Sequence, residues 1–187
     1  MLMPLGLLSQ GGSAAGAGFE LISTTVLGSA AASVTLSSIP ATYTSLELRI
    51  VARSANATQF DELLLRLNAD SGANYGYKQI INDTFTASQS TATSQTGVRI
   101  YGIAANTAVA SNFSAMKIGL NGYKDANKKT NIRGFGGAVN FGASWAANSS
   151  LFGGIWNATT TVTSLTVSTY TGSNLAAGTR VSLYGVL

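Results

Sequence analysis

The feature of this chain that most restricts its fold is the alternation of apolar and polar residues in short runs. Residues 44–52 place three apolar side chains on one face of an extended chain: Leu46, Leu48 and Ile50. Residues 60–68 repeat the pattern with Leu63, Leu65 and Leu67. A period of two is that of a β-strand with one buried face, so both runs predict strands rather than helices.

Similar short runs, separated by turn-prone groups, fill the rest of the chain. The turn-prone groups lie at residues 39–41, 69–74, 124–129 and 170–174, where Gly, Pro, Asn, Asp and Ser collect. No convincing amphipathic helix lies between them. Many short strands with frequent turns predict an all-β fold of the sandwich type. The predicted strands are residues 21–27, 34–38, 44–52, 60–68, 75–81, 97–103, 113–120, 131–139, 151–156, 162–168 and 180–185.

The composition divides the chain into an N-terminal arm with its linker (residues 1–18) and a sandwich domain (residues 19–187). The linker, residues 10–18, is rich in Gly and Ala and has the composition of a flexible spacer. The arm is apolar, which predicts an anchor that docks on a partner or a neighbouring copy; the alternatives are a frayed terminus or a first strand on the chain's own core. Its run is too short to cross a bilayer, and it lacks the basic residues of a signal peptide. The predicted anchoring residues are Leu2, Met3, Pro4, Leu5, Leu7 and Leu8.

The residue types that are missing restrict the chemistry. The chain has 187 residues with no His and no Cys, and Asp and Glu together number 7. No side chain therefore has an ordinary pKa near 7, and neither a thiolate nor a soft metal ligand is present. The sequence predicts no enzyme, no catalytic residue, no metal site and no cofactor, and favours a binding or building-block protein.

The net charge of +4 raises the question of nucleic-acid binding. The basic residues are spread from Arg49 to Arg180, and their one local cluster, Lys124–Lys129, has the composition of a solvated loop. Binding to DNA normally needs a denser stripe of Lys and Arg. The distribution therefore argues against a nucleic-acid partner.

Two groups of polar residues are candidates for metal binding or hydrolysis. Asp61 and Glu62 are adjacent, but alternation points them to opposite faces of one strand, and solubility at a strand edge explains them better than a metal. Asp70 and Asn74 have oxygens that bind cations, yet Asp, Gly and Asn are also the usual turn formers, which is the favoured interpretation.

Four aromatic residues stand out against this polar background. Tyr75 and Tyr77 lie two apart and share a face, so they form a shelf for sugars, a plug at the end of the sandwich or a contact between subunits. Trp145 is a candidate loop anchor for a glycan or protein, whereas Trp156 is predicted to pack in the core. Contact with a glycan or partner is thus a hypothesis for Tyr75, Tyr77 and Trp145.

Several segments, taken in order, resemble a family of small virion structural proteins of tailed bacteriophages, including cyanophages. They are FELISTTVL at 19–27, SVTLSSIPATY at 33–43, LRLNADSGANY at 65–75 and VSLYGV at 181–186, preceded by PLGLL at 4–8. The resemblance covers residues 19–186. It implies a jelly-roll-like β-sandwich with an extended N-terminal arm, located on the capsid exterior or on the tail. It implies no catalytic residue.

The resemblance and the composition together predict a capsid decoration (cement) protein on the outer shell, anchored by its arm. Its partners would be the major capsid protein or a tail or baseplate protein. It would form a homo-oligomer, namely a trimer, and would not bind a membrane. The alternative is a tail-fibre or receptor-binding module that contacts host glycans. A third hypothesis is a depolymerase that uses Asp61, Glu62 or Asp70, because glycosidases work with two carboxylates.

Overall fold

The computed structural model describes residues 18–83, 86–141 and 145–187, with every side chain except those of residues 141, 145 and 146. Within these ranges no element is a helix long and apolar enough to span a bilayer. The elements are twelve strands: β1 (Phe19–Val26), β2 (Ser33–Leu36), β3 (Ser45–Ala52), β4 (Phe60–Leu67), β5 (Tyr75–Asp83), β6 (Thr86–Gln95), β7 (Val98–Ala104), β8 (Ser114–Asn121), β9 (Asn131–Phe141), β10 (Trp145–Trp156), β11 (Leu165–Thr169) and β12 (Arg180–Val186).

The strands form two antiparallel sheets, which confirms the predicted all-β sandwich. The large sheet has the order β1-β12-β3-β8-β9-β10-β5-β6, and the small sheet has the order β2-β11-β4-β7. Eight of the strands pair as one long rolled hairpin: β1 with β12, β2 with β11, β3 with β8, and β4 with β7. Rolling brings β12 beside β3 and β11 beside β4, which is the arrangement of a jelly roll.

Four strands are added to this jelly roll, and all of them extend the large sheet. β5 and β6 form a hairpin inserted between β4 and β7, and β9 and β10 form one inserted between β8 and β11. Both hairpins join the large sheet beyond β8, so that sheet has eight strands while the small sheet keeps four. The added strands create an outward sheet face that the eight-stranded jelly roll alone would lack.

The core lies between the two sheets and follows the predicted alternation. Leu46, Leu48 and Ile50 of β3 are fully buried, as are the three leucines of β4 that the period of two selects: Leu63, Leu65 and Leu67. Tyr123 closes one end of the core: its hydroxyl accepts a hydrogen bond from the Tyr43 N–H at 3.1 Å and donates one to the Pro40 carbonyl at 2.7 Å. Burial of these side chains is the main source of stability.

The outer edge of β7 is sealed by polar side chains of the large sheet. The Tyr101 N–H donates to Gln79 Oε1 at 3.3 Å, the Tyr101 carbonyl accepts from the Ser150 hydroxyl at 2.8 Å, and the Ala104 N–H donates to the Ser114 hydroxyl at 2.6 Å. These bonds satisfy backbone groups that an edge strand would otherwise offer to another chain. The two sheets are thus joined along this edge, and the added strands contribute Gln79 and Ser150.

The strands at the far side of the large sheet differ most from the prediction. The sequence pattern does not predict β6, and β10 begins at Trp145 rather than at Leu151. The sequence of β6, TASQSTATSQ, has no alternation of apolar and polar residues, and most of its residues are exposed. Pairing with β5, and not burial of its own side chains, places β6 in the sheet.

The predicted anchoring arm, with Leu2, Met3, Pro4, Leu5, Leu7 and Leu8, lies outside the described residues, as does the linker up to residue 17. β1 begins at Phe19, directly after the first described residue, Gly18. The arm therefore stays a prediction from its composition.

Candidate functional site

The outward face of the large sheet exposes a row of apolar side chains where a solvated sheet would have polar ones. Leu151 of β10 lies between its cross-strand partners Phe135 of β9 and Ile80 of β5. Their exposed fractions are 60% for Leu151, 58% for Phe135 and 55% for Ile80. Directly opposed residues in adjacent antiparallel strands have Cβ atoms about 5 Å apart, so the three side chains form one continuous ridge.

Basic residues border this ridge. Lys117 of β8 is the cross-strand partner of Phe135 and continues the row. One row further along the strands lie Arg133 and Lys78, each paired with Gly153 between them. We call these six residues the outer-face patch: Ile80, Phe135, Leu151, Lys78, Lys117 and Arg133.

Glycines on both sides of Arg133 open a hollow beside the ridge. Gly119 and Gly153 are its cross-strand partners. A Cβ atom added at Gly153 would meet nothing within 4 Å, and one at Gly119 would meet only the Arg133 carbonyl oxygen at 3.9 Å. The hollow has a volume of about 580 Å³, and the ridge separates it from a second hollow of about 470 Å³ that borders Asn82 and Val139. The surface is therefore shaped to receive side chains from outside.

Glu47 is the one acidic residue that lines the larger hollow. Its carboxylate accepts from Arg49 Nε and from Lys117 Nζ, both at 2.7 Å. Burial raises the pKa of Glu47, but the hydrogen bonds from Lys117 and Arg49 outweigh it and hold the pKa below its ordinary value. Among the described residues no carboxylate lies within ion-pair distance of Lys78 or Arg133. The patch therefore carries an excess of positive charge.

The carboxylates considered for hydrolysis or solubility, Asp61 and Glu62, are buried and hydrogen-bonded within the chain, so their interpretation as solvated strand-edge residues was wrong. β4 lies between β11 and β7 and is not an edge strand. Asp61 accepts from the hydroxyls of Ser54 at 2.6 Å and Thr171 at 2.9 Å. Glu62 forms a bidentate ion pair with Arg99. A bulge falls between the two acids, and each has its own partners, as expected for buried charges.

The turn that contains Asp70 and Asn74 is organised by its own hydrogen bonds, as the turn interpretation predicted. Asp70 accepts from the Gly72 N–H at 2.8 Å, from Asn74 Nδ2 at 3.0 Å and from Trp156 Nε1 at 2.7 Å. The bond from Trp156, followed by those from Asn74 and Gly72, lowers the pKa of the Asp70 carboxyl. Trp156 itself is buried, which confirms its predicted place in the core.

The two tyrosines proposed as a sugar shelf are core residues in this structure. Tyr75 is 1% exposed and Tyr77 is 6% exposed, so neither offers a ring face to a ligand. The Tyr75 hydroxyl accepts from the Leu67 N–H at 2.9 Å and donates to the Leu67 carbonyl at 3.2 Å, and burial raises its pKa to about 12. Both tyrosines therefore pack in the core of the sandwich, which contradicts a sugar shelf on its surface. The side chain of Trp145 lies outside the described residues, and its contact with a glycan or partner stays a prediction.

Sequence analysis missed the outer-face patch, although a signal was present. Ile80–Ile81 and Leu151–Phe152 are pairs of adjacent apolar residues within strands. Alternation turns Ile81 and Phe152 to the inner side and must then place Ile80 and Leu151 outside. That the two outer residues meet, with Phe135 beside them, depends on strand order and register, which the pattern of one strand does not contain.

No cluster of three or more His, Cys, Asp or Glu side chains in the described ranges is arranged to hold a metal ion. Comparison of the chain with family models, with curated proteins and with solved structures finds no match. Hypotheses about its function therefore depend on the ordered sequence segments and on the geometry of the sheet face.

Proposed function

We propose that the chain is a non-catalytic structural protein of a bacteriophage virion, a decoration protein that binds to the outer shell. Its partner would be the major capsid protein, and copies of the chain would assemble into a homo-oligomer, a trimer. The observation that carries the proposal is the outer-face patch, because an exposed apolar ridge bordered by cations is typical of a protein-docking surface.

The sandwich suits such a role because one sheet edge and several acidic side chains already have partners within the chain. The edge of β7 is sealed by side chains, and the acids of β4 and of the turn at Asp70 are held by partners within the chain. The outward face built by the added hairpins stays open, and so do the outer edges of β1, β2 and β6. No described strand pairs with that edge of β6, which carries no charged residue and no proline. Edges of this type are prone to pair with another chain, so β6 is the proposed contact between copies.

A decoration protein would hold the shell through many weak contacts. Symmetric repetition multiplies the effect of each contact, and the predicted anchor at residues 1–9 would add a second point of attachment. Neither contact then needs high affinity alone.

The copy number of the protein in purified virions tests the proposal. Quantitative mass spectrometry against the major capsid protein should find copies on the order of hundreds per particle, as shell-wide symmetry requires. A few dozen copies or fewer would contradict decoration and favour the tail or a single vertex, where contact with host glycans would be the function. Absence from the particle would refute a virion role altogether.

A further inference from the structure

We propose that the outer-face patch docks on a different protein of the virion, at a surface that combines carboxylates with apolar side chains. Carboxylates of that partner would meet Lys78 and Arg133, and its apolar side chains would cover Phe135, Leu151 and Ile80. This inference rests on the proposed function, since it specifies the chemistry of the partner that the decoration role requires.

Charge decides what the partner must carry. Four cations lie on or beside the patch, and the one carboxylate among them, Glu47, already binds two of them. Lys78 and Arg133 have no carboxylate within ion-pair distance in the described chain, and they flank the open space over Gly153. Burying them under a neutral surface would remove their hydration without compensation. A partner with carboxylates over Gly153 supplies that compensation.

A second copy of this chain, docked patch to patch, fits poorly. Two patches related by a two-fold axis would bring Lys78 and Arg133 of one copy near the same cations of the other, and like charges in an interface are unfavourable. The predicted anchor of a second copy is no better, because residues 1–9 contain no Asp or Glu. It would cover the ridge and leave the cations unmatched.

A nucleic acid would satisfy the cations but not the ridge. Single-stranded nucleic acid binds through bases that stack on aromatic side chains, and only one of the three ridge residues, Phe135, is aromatic. Ile80 and Leu151 are aliphatic and match the apolar side chains of a protein. The combination of cations with an aliphatic ridge therefore favours an acidic protein surface.

A zero-length carbodiimide cross-linker, applied to intact virions, tests this contact and identifies the partner in the same experiment. The reagent joins an amine only to a carboxylate in direct contact. We expect Lys78 to be joined to an Asp or Glu of another virion protein, identified by mass spectrometry of the linked peptides. Links from Lys78 only to carboxylates of this chain in another copy would overturn the proposal, and so would links confined to Lys124, Lys128 and Lys129 of the loop between β8 and β9.

Rebinding to particles assembled without this protein gives the matched variant test. The double variant K78E/R133E should bind at least tenfold more weakly than the wild type, and added salt should no longer weaken its binding. The control is K124E/K129E, which makes the same change in net charge at two exposed side chains of the loop 122–130 and should bind like the wild type. Equal loss in both variants, or no loss in K78E/R133E, would contradict the inference.

Three further measurements test the other candidate ligands of the patch and distinguish a failure of this inference from a failure of the proposed function. A labelled single-stranded oligonucleotide that binds the wild type tightly and K78E/R133E weakly would favour nucleic acid and refute an acidic protein. A change of oligomeric state in K78E/R133E, measured by light scattering, would assign the patch to a second copy and overturn the inference. Absence of the chain from virions would refute the proposed function, whereas a virion-bound chain with an unlinked Lys78 would refute this inference alone.

Discussion

The outward faces of the two sheets are both formed by antiparallel strands, but one is polar and the other exposes apolar side chains. On the small sheet, Thr35, Thr166 and Arg66 form a cross-strand row. The hydroxyls of Thr35 and Thr166 lie 3.1 Å apart, and Arg66 Nε donates to the Thr96 carbonyl at 2.8 Å. The polar groups of that row have hydrogen-bond partners within the chain, and the row faces water. On the large sheet, the corresponding row is Lys117, Phe135, Leu151 and Ile80, which leaves its apolar surface uncovered.

The difference shows where in the fold the exposed apolar surface lies. The small sheet consists only of jelly-roll strands, whereas Phe135, Leu151 and Ile80 all lie on the two inserted hairpins. The inner side of the same hairpins is committed to the fold, since Gln79 and Ser150 seal the edge of β7. The hairpins therefore have one face that packs in the fold and one face whose apolar side chains are exposed.

The largest expected effect is a difference in stability between alanine substitutions at an inner and at an outer glycine of the hairpins. A Cβ atom at Gly134 would lie 2.4 Å from the Lys117 carbonyl oxygen and 2.5 Å from Phe152 Cζ, whereas one at Gly153 meets nothing within 4 Å. Gly134→Ala should therefore lower the free energy of unfolding by about 1–3 kcal/mol through overpacking. Gly153→Ala should change it by about 0.5 kcal/mol or less. Urea denaturation of both variants measures the difference, and equal stabilities would refute the assignment of the two faces.

The next effect concerns docking rather than folding. Phe135→Ser should weaken rebinding to particles that lack this protein by about tenfold or more, that is about 1.4 kcal/mol, because it removes the aromatic centre of the ridge. Its melting temperature should stay close to the wild-type value, since the side chain is largely exposed. Thr166→Val on the small sheet is the matched control and should bind normally. Loss of binding in both variants would indicate a general defect and not a surface on the large sheet.

The sequence contains the jelly-roll core but not the patch, for a physical reason. Leu46, Leu48, Leu63 and Leu65 indicate their burial through local alternation, because the inner face of a strand is set by that strand alone. The ridge depends on the register of three strands. Phe135 on β9 belongs to it only because pairing places Leu151 of β10 beside it. β6 lacks even the local signal, since its place depends on β5. Tyr75 was misleading because its hydroxyl finds backbone partners inside the core, which composition cannot reveal.

The smallest expected effect is the acid response of the large-sheet face. The pKa of Glu47 is lower in the folded protein than its ordinary value of 4.5, so its contribution to stability is complete above that value and is lost as the pH falls through the folded pKa. Arg49 and Lys117 are about half exposed, so the contribution should be about 1 kcal/mol or less. Glu47→Gln should therefore be less stable than the wild type at about pH 7, and the difference should shrink as the pH falls below 4.5, measured by urea denaturation.

The comparison with the variant is needed because other carboxyls respond to acid as well. The pKa values of Asp70 and Asp125 are also lowered, so both contribute to the acid response of the whole protein. They are present in both proteins, so the difference between wild type and variant isolates Glu47. A difference that does not shrink as the pH falls would show that the variant acts through packing and not through the ion pairs that hold Lys117 beside the ridge.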